Sequence, residues 1–252
     1  MKTLAVINQK GGVGKSTTAA AIAGGFTLKG YKVLMVDLDG QQSLTTIVGA
    51  ESEGYTVLDA LTRRCTAADA VKHTESGDIL TAADGLGAAD TLLKDTGREY
   101  RLKEVLQPIK KKYDLCIIDC PPSLGILAIN ALTAADTCIV PAQADYLSLQ
   151  AIGQLQSTIS TVRTYTNRDL DIAGIVITRY SGRAVLSRDA VEMLQAKACE
   201  LDTRVFGAKI RECIAIKEAQ AVQQSIYKYA VRSNGVKDYS ELVEEITREV
   251  MD

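Results

Sequence analysis

A glycine-rich segment near the start of the chain constrains the fold more than any other feature. Residues 9–17 read Gln-Lys-Gly-Gly-Val-Gly-Lys-Ser-Thr, and they lie between an apolar run at 4–7 and a run of small residues at 18–23. A strand, a glycine loop ending in Gly-Lys-Ser and a helix together form a phosphate cradle. Glycines let backbone N–H groups turn towards an anion, and the helix N-terminus adds partial positive charge. This glycine loop (residues 9–17) therefore predicts a nucleoside triphosphate site.

The side chains of the glycine loop have separate expected roles. Lys15 is predicted to reach the β- and γ-phosphates, and the Ser16 hydroxyl to bind Mg²⁺. The loop departs from the usual pattern in two places, since Gln9 stands where glycine is expected and Lys10 adds a second lysine. The predicted nucleotide contacts within the loop are Gly11, Gly12, Val13, Gly14, Lys15, Ser16 and Thr17.

Acidic residues end two apolar runs further along the chain. Asp119 follows an apolar run at 115–118, and Asp37 and Asp39 end the run that begins at 32. Nucleotide sites in open α/β sheets lie at the carboxyl ends of the strands. We therefore predict that Asp119 holds the metal, that Asp37 supports it, and that Asp39 orients the water attacking the γ-phosphate. The expected reaction is Mg²⁺-dependent ATP hydrolysis, because no other phosphoryl acceptor is indicated.

Composition limits the other function classes. The 252 residues carry a net charge of −2, so overall charge gives no argument for nucleic acid binding. His73 is the only histidine and none of the six cysteines forms a Cys-x-x-Cys pair, which argues against a His-based metal site. We expect buried cytosolic thiols rather than disulfides. Apolar runs are too short to span a bilayer, and no signal peptide is expected at the N-terminus.

Alternating strand-like and helical patterns predict the fold class. Apolar Val/Ile/Leu runs alternate with helices, which is typical of a parallel sheet covered on both faces. We predict an α/β, doubly wound, mostly parallel sheet of the P-loop NTPase type, forming one domain over residues 1–252. The expected strands are 4–7, 32–37, 113–119, 137–141, 172–178 and 204–206, with a short strand at 79–82; the expected helices are 16–29, 98–112, 185–200 and 240–250.

Several segments together resemble the ParA/MinD family of ATPases. Residues 10–17 resemble its deviant Walker A loop, residues 118–125 its Walker B segment, and residues 36–41 a second acidic motif in which Gly40 replaces a proline. Residues 130–136 and 140–143 continue the match. Tyr229, Ser233, Gly235 and Tyr239 keep the spacing of a C-terminal motif. The resemblance covers nearly the whole chain and is strongest to the short chromosomal ParA-type proteins.

The resemblance implies a mechanism and partners. It implies ATP and Mg²⁺ as cofactors, a homodimer that forms on ATP binding, and Lys10 acting on the nucleotide of the partner subunit. It also implies non-specific DNA binding by a cytoplasmic, nucleoid-associated protein whose hydrolysis is controlled by a ParB-like protein. No membrane partner is expected.

Nucleotide and DNA contacts outside the glycine loop also depend on the resemblance. Thr178 and Arg211 are assigned to the nucleotide, Arg211 standing where relatives have a proline near the adenine. Arg183 maps near a basic position of relatives and is assigned to DNA. Ala215 replaces an arginine linked to DNA binding, so Arg211 and Lys217 are expected to substitute for it. Basic residues outnumber acidic ones between 160 and 235, which fits a locally positive face.

Three other readings remain open at this stage. A MinD-like membrane switch needs a basic amphipathic C-terminal helix, whereas residues 241–250 are rich in glutamate. An iron–sulfur carrier of the same fold would use Cys120, but a second cysteine ligand is not recognisable. An orphan family member on a mobile element, with a different surface or partner, is compatible with residues 51–97 and 210–217.

Overall fold

Eight strands form one sheet in the order β3-β4-β2-β5-β1-β6-β7-β8. The computed structural model describes residues 1–181 and 185–251, and for 185–188 the backbone only. All neighbouring strands are parallel except the antiparallel pair β3–β4. The strands are β1 (Lys2–Val6), β2 (Val33–Asp37), β3 (Val71–Thr74), β4 (Gly77–Leu80), β5 (Leu115–Asp119), β6 (Thr137–Gln143), β7 (Asp171–Tyr180) and β8 (Val205–Arg211).

Helices connect the strands and cover both faces of the sheet. The α-helices are α1 (Lys15–Leu28), α2 (Ser43–Ile47), α3 (Val57–Leu61), α4 (Ala67–Ala70), α5 (Ala89–Leu92), α6 (Arg101–Leu106), α7 (Ile126–Ala134), α8 (Tyr146–Tyr165), α9 (Val185–Glu200), α10 (Ile214–Ala221), α11 (Ile226–Tyr229) and α12 (Asn234–Ile246). Short 3₁₀ segments lie at Asp84–Ala88, Arg98–Tyr100 and Gln107–Lys112, and a π-helical turn at Thr247–Met251 follows α12.

The central strands are buried on both faces, which explains their continuous apolar runs. Every residue of β2 and β5 is buried. One apolar core lies on the face covered by α3, α6, α7, α8 and α9, and a second lies under α1 and α12. The predicted doubly wound, mostly parallel α/β fold is therefore confirmed.

The sheet brings the predicted acids together. β2 and β5 are parallel neighbours whose register pairs Asp37 with Asp119 at their carboxyl ends. β1 lies on the other side of β5, so the glycine loop that follows β1 opens at the same edge. The site residues therefore meet because parallel strands end at one edge of the sheet.

Some predicted elements differ from the structure. The helix expected over 98–112 is an α-helix only over Arg101–Leu106, with 3₁₀ turns on either side. Pro108 lies in the second of these turns, where it has no N–H to continue an α-helix. β4 (Gly77–Leu80) overlaps the short strand predicted at 79–82 but begins two residues earlier. Strand β3 and all α-helices other than α1, α6, α9 and α12 lie outside the predicted elements. β8 extends to Arg211, and the last helix begins at Asn234 rather than Ser240.

Only some of the cysteines are buried as expected, since Cys199 is exposed and Cys65 and Cys213 are half-buried. Cys116, Cys120 and Cys138 are buried, and all six are unpaired. Burial raises the pKa of Cys138 to about 12, so it behaves as a small apolar residue. Among the described residues, no helix combines the length and the apolar character that a membrane crossing requires.

Candidate nucleotide-binding site

The glycine loop has the backbone conformation that its sequence predicts. Gly12 and Gly14 have φ angles of 74° and 87°, in the left-handed region that favours glycine. Gly14 is also the N-cap of α1, and Lys15 is its first residue. The first N–H groups of a helix have no partners within it, so they are available to an anion. The loop and the start of α1 thus form a phosphate-sized cradle.

Lys15 lies within this cradle and is largely buried. The residue is 7% exposed, and its Nζ lies 3.4 Å from the Lys10 carbonyl oxygen. Burial lowers its pKa, while the carboxylates of Asp119 and Asp39 act in the opposite direction. A buried ammonium with only one long hydrogen bond is costly unless an anion pairs with it. The assignment of Lys15 to the phosphates of a nucleotide remains a prediction, and the burial of its ammonium is compatible with it.

Asp37 is held in place by its own chain. Its Oδ2 accepts hydrogen bonds from the Thr45 N–H and hydroxyl, both at 2.8 Å, and its Oδ1 accepts one from the Asp39 N–H at 3.1 Å. Burial raises the pKa of Asp37 to about 6, despite these hydrogen bonds. Because its oxygens already have donors, Asp37 is better placed to support a metal site than to bind the ion directly. Thr45 is a contributor that sequence reasoning missed.

Asp119 differs from Asp37 because its carboxylate lacks well-formed hydrogen bonds. The residue is fully buried, and neither oxygen accepts a well-formed hydrogen bond from the described residues, although the Ser16 hydroxyl and the Lys15 ammonium lie near enough to favour its charged form. Burial, and then the neighbouring Asp37 carboxylate, raise its pKa well above the usual range. Buried oxygens without partners usually mark a missing ion or a functional role. The donor set fits Mg²⁺, which prefers oxygen ligands and commonly uses one or two carboxylates together with water and phosphate.

In the nucleotide-free protein, the Asp119 carboxyl group should lower the free energy of unfolding. We expect Asp119→Asn to raise the free energy of unfolding by roughly 1–3 kcal/mol, since it removes a buried carboxyl group whose charged form is disfavoured by burial and by the neighbouring Asp37 carboxylate. Urea unfolding at neutral pH without nucleotide or Mg²⁺ measures this. The matched control is Asp136→Asn near the opposite edge of the sheet, where the Asp136 Oδ2 accepts from the Thr3 N–H at 2.7 Å. That variant should lose stability, and a loss in Asp119→Asn as well would contradict the prediction.

Asp39 lies in the loop that follows β2, at the edge of the sheet where the site residues meet. Its Oδ1 accepts a hydrogen bond from the Gln41 N–H at 3.0 Å, and its side chain is only partly buried. Gln42 has a φ of 56° and bonds through its side-chain amide to Asp84 and Ser52. These contacts fix the loop after β2. The assignment of Asp39 to the attacking water remains a prediction.

Lys10 is bound within its own chain. Its Nζ lies 2.6 Å from the Asp145 Oδ2 and 3.4 Å from both the Gln143 Oε1 and the Ser148 Oγ. Asp145 is also the N-cap of α8, accepting a hydrogen bond from the Ser148 N–H at 2.8 Å. Asp145 was missed from the sequence, although its place just after β6 at the same edge of the sheet was an available signal. Reaching a partner subunit would require Lys10 to leave these groups.

A groove beside α1, which we call the α10 groove, lies next to the glycine loop. It has a volume of about 80 Å³, and its lining includes Val13, Gly14, Thr17, Thr178, Arg211 and Ile216. The Thr178 hydroxyl donates to the Val13 carbonyl at 2.8 Å, so Thr178 supports the loop. The groove is on the Thr17 side of the loop, away from Lys10 and the acids. The prediction that Thr178 and Arg211 contact the nucleotide would place its nucleoside part in this groove.

The basic residues predicted to contact nucleotide or DNA have different surroundings in the structure. Arg211 lines the α10 groove, and its guanidinium is bound to the buried carboxylate of Asp238, with Nε to Oδ2 at 2.9 Å. The Lys217 Nζ lies 2.9 Å from the Glu212 Oε1, and both side chains are 62% exposed. An exposed pair of this kind is weak, so Lys217 remains accessible to other anions. Arg183 lies outside the described residues.

Other clusters of metal-binding side chains are absent from the part of the chain that the structure describes. The described residues contain no group of three or more His, Cys, Asp and Glu side chains arranged to hold a metal ion. The single histidine, His73, pairs with Asp78 on the β3–β4 hairpin, with Nδ1 and Oδ1 2.6 Å apart. Ser16 and Asp119, with Asp37 as support, remain the residues predicted to hold Mg²⁺.

Comparisons with known proteins agree with this geometry. A family model described as an AAA domain matches residues 1–172. The sporulation initiation inhibitor protein Soj of Bacillus subtilis is 37% identical over 250 residues, covering 97% of this chain and 98% of Soj. The chromosome partitioning protein ParA of Myxococcus xanthus is 32% identical over 252 residues, covering 98% of this chain and 88% of that protein.

A solved structure adds a ligand to the comparison. The cobyrinic acid a,c-diamide synthase of Mycobacterium smegmatis, solved with a bound ATP analogue and magnesium, has a TM-score of 0.87 and 35% identity. The match covers 98% of this chain and 94% of that one. Together with the glycine loop and the paired acids, these near-full-length similarities show that the chain belongs to the Soj/ParA family of chromosome-partitioning ATPases.

Proposed function

We propose that this chain is a Mg²⁺-dependent ATPase that dimerises on ATP binding and acts in DNA segregation. In this proposal the dimer binds DNA without sequence preference, and a ParB-like protein controls ATP hydrolysis. The observation that supports the ATPase part is the buried carboxylate of Asp119 beside the glycine loop, Ser16 and Lys15, whose oxygens accept no well-formed hydrogen bond from the described residues. Family membership supports the partition part.

Each site residue has a part in this proposal. The glycine loop and Lys15 bind the phosphates, and Ser16 and Asp119 hold Mg²⁺, with Asp37 as support. When bound, Mg²⁺ neutralises charge on the phosphate oxygens. Asp39 orients the attacking water. Lys10 supplies a further positive charge across the dimer interface, a type of contribution worth about 10³–10⁵ in rate.

DNA binding is expected to depend on dimerisation. A single subunit carries 29 basic and 31 acidic residues, so its net charge of −2 gives no overall attraction to DNA, and binding would depend on local basic groups such as the exposed Lys217. A dimer doubles the phosphate contacts, and affinity rises steeply with their number. Because phosphate contacts carry no sequence information, such binding would be indifferent to sequence.

DNA retention by an ATP-loaded dimer tests the proposal. We expect Asp39→Ala to bind ATP without hydrolysing it, so it would accumulate as a dimer. This variant should retain unrelated duplex DNAs equally with ATP and not with ADP. With about six phosphate contacts, affinity should fall roughly 10³-fold between about 50 and 200 mM salt. Filter binding and sedimentation measure the two events separately.

Two charge-reversal variants sharpen this test. Arg183→Glu should abolish DNA retention and leave ATP-dependent dimerisation intact. The control is Lys112→Glu, in the 3₁₀ segment before β5 at the opposite edge of the sheet, which should retain DNA. An ATP-loaded dimer that binds no DNA in low salt would contradict the DNA part of the proposal and leave the ATPase part standing.

The C-terminal helix disfavours a MinD-like membrane role. The buried residues of α12 include Tyr239, Leu242, Val243 and Ile246, which belong to the core under that face of the sheet. Glu245 on the same helix accepts from the N–H groups of Gly207 and Ala208 in β8. A helix whose apolar face is already packed has no such face to offer a lipid surface.

A further inference from the structure

Helix α10 is the most loosely held wall of the α10 groove. Of its eight residues, only Ala219 is buried. Ile214 at its start is 72% exposed, and Val222 just beyond its end is 57% exposed. Elements with few buried apolar contacts open or shift at low cost in free energy. α10 is therefore better able to move than the sheet and α1, which form the other walls.

The inner face of α10 contacts the nucleotide site directly. Ile216, Lys217 and Gln220 line the α10 groove opposite Gly14 and Thr17. The Gln220 Nε2 donates a hydrogen bond to the Thr17 Oγ1 at 2.8 Å. This bond joins α10 to the second hydroxyl of the glycine loop, although the two residues are 203 positions apart. The position of α10 is thus tied to the loop that would bind phosphate.

The groove is too narrow for a ligand as it stands. Its volume of about 80 Å³ is well below the roughly 300–1,000 Å³ of ordinary ligand pockets. The opposite wall is rigid, since Val13 and Tyr239 are buried and Tyr239 contacts the Thr18 hydroxyl at 3.3 Å. A nucleoside can bind in the groove only if one of its walls moves.

Space behind α10 allows that movement. A second, smaller cavity of about 30 Å³ lies between α10, α1 and α2, lined by residues that include Ala20, Ile47, Ile216 and Gln220. A closely packed interior resists the displacement of one element against another, whereas a void leaves room for a side chain or a helix to shift. The α10 groove and this second cavity therefore lie on the two sides of α10 that face the protein.

We propose that α10 is a nucleotide-responsive element and that Gln220 is the positioning residue that couples it to Thr17. Filling of the α10 groove displaces α10, and the Gln220–Thr17 hydrogen bond sets the direction of the displacement. The outer surface of α10, with Ile214 and Lys217, then differs between the free and nucleotide-bound protein. This inference rests on the proposed function, because it assumes that a nucleotide binds at the glycine loop.

A tryptophan reporter tests the movement. The chain contains no tryptophan, so Ile214→Trp gives a single fluorescent probe on α10, and Val222→Trp gives a second in case the first fails to fold. We expect saturating Mg-ATP to shift the emission of both probes. Equilibrium dialysis of the same proteins measures ATP binding independently. ATP binding without an emission shift in either probe would overturn the inference and leave the proposed function intact.

The coupling role of Gln220 is tested in the reporter background. At saturating Mg-ATP, Gln220→Ala should lose the emission shift, whereas Gln154→Ala, an exposed glutamine of α8, should keep it. Thr17→Ser keeps the acceptor hydroxyl and should keep the shift, while Thr17→Val should lose it. A full shift in Gln220→Ala would exclude the coupling role. Absence of ATP binding in the reporter proteins and the parent would instead overturn the proposed function, and this inference with it.

Discussion

Lys15→Ala should bind Mg-ATP at least about 100-fold more weakly than the parent, because each charge-assisted hydrogen bond to phosphate is worth about 1.5–3 kcal/mol. Lys15 has one long hydrogen bond, to the Lys10 carbonyl, and is otherwise buried beside Asp119 and Asp39. Its charge therefore has no better partner within the chain than the phosphates of a ligand. Equilibrium dialysis with labelled ATP measures the change.

A second lysine, directly after the end of the same helix, provides the control. Lys29 follows the last turn of α1, and its Nζ lies 2.6 Å from the Glu244 Oε1 at the surface. Lys29→Ala removes the same charge from the far end of α1 and should leave ATP affinity within a few-fold of the parent, since exposed ion pairs contribute little. Similar ATP affinity in Lys15→Ala and the parent would contradict the assignment of the glycine loop to phosphate.

The core of the site could be predicted because its residues lie at the ends of parallel strands. β1, β2 and β5 are short apolar runs, each followed by the glycine loop or by an acid. Parallel pairing puts all three ends at one edge, so Lys15, Asp37 and Asp119 meet once the strands are recognised. Local pattern and one topological rule were sufficient for this part.

The partners of these residues depend on contacts that a local pattern does not encode. Asp145 lies 135 positions from Lys10, and Gln220 lies 203 positions from Thr17. Each pair forms only because β6 and the α10 segment return to the edge where the glycine loop opens. Side-chain pairing over such separations follows from the packing of the whole sheet, so the sequence alone left Asp145 and Gln220 without a role.

The errors in secondary structure have local causes. An amphipathic pattern over 98–112 predicted one helix, but Pro108 interrupts it and the flanking turns tighten to 3₁₀. Strand β3 carries the polar residues Lys72 and His73 and is the edge strand of the sheet. Edge strands need not show a continuous apolar run, so that pattern did not reveal it.

Lys10→Ala should bind ATP yet hydrolyse it about 10³–10⁵-fold more slowly, if Lys10 supplies transition-state charge in the manner of an arginine finger. The variant should also remain a monomer with ATP, because the contact across the interface is lost. Steady-state phosphate release and sedimentation with Mg-ATP measure the two effects. A normal ATP-dependent dimer from Lys10→Ala would exclude the role across the interface.

Loss of the Lys10–Asp145 ion pair must be separated from loss of Lys10 itself. Asp145→Asn breaks the same charge pair and leaves Lys10 in place, while asparagine still caps α8. We therefore expect Asp145→Asn to retain ATP-dependent dimerisation and hydrolysis. If Asp145→Asn were as inactive as Lys10→Ala, the ion pair within one chain, and not a contact with the partner, would explain both variants.

Mixing two inactive variants decides whether Lys10 acts within its subunit or across the dimer. In a mixed dimer of Lys10→Ala and Asp39→Ala, the nucleotide of the first subunit keeps its own Asp39 and receives Lys10 from the second. If Lys10 acts across the interface, each mixed dimer has one complete site and keeps one of the two Lys10 contacts, so an equal mixture should hydrolyse ATP well above the rate of either variant alone. If Lys10 acts within its own subunit, every site in the mixture lacks either Lys10 or Asp39. The mixture would then stay as inactive as its components, because no combination of the two chains assembles both groups around one nucleotide.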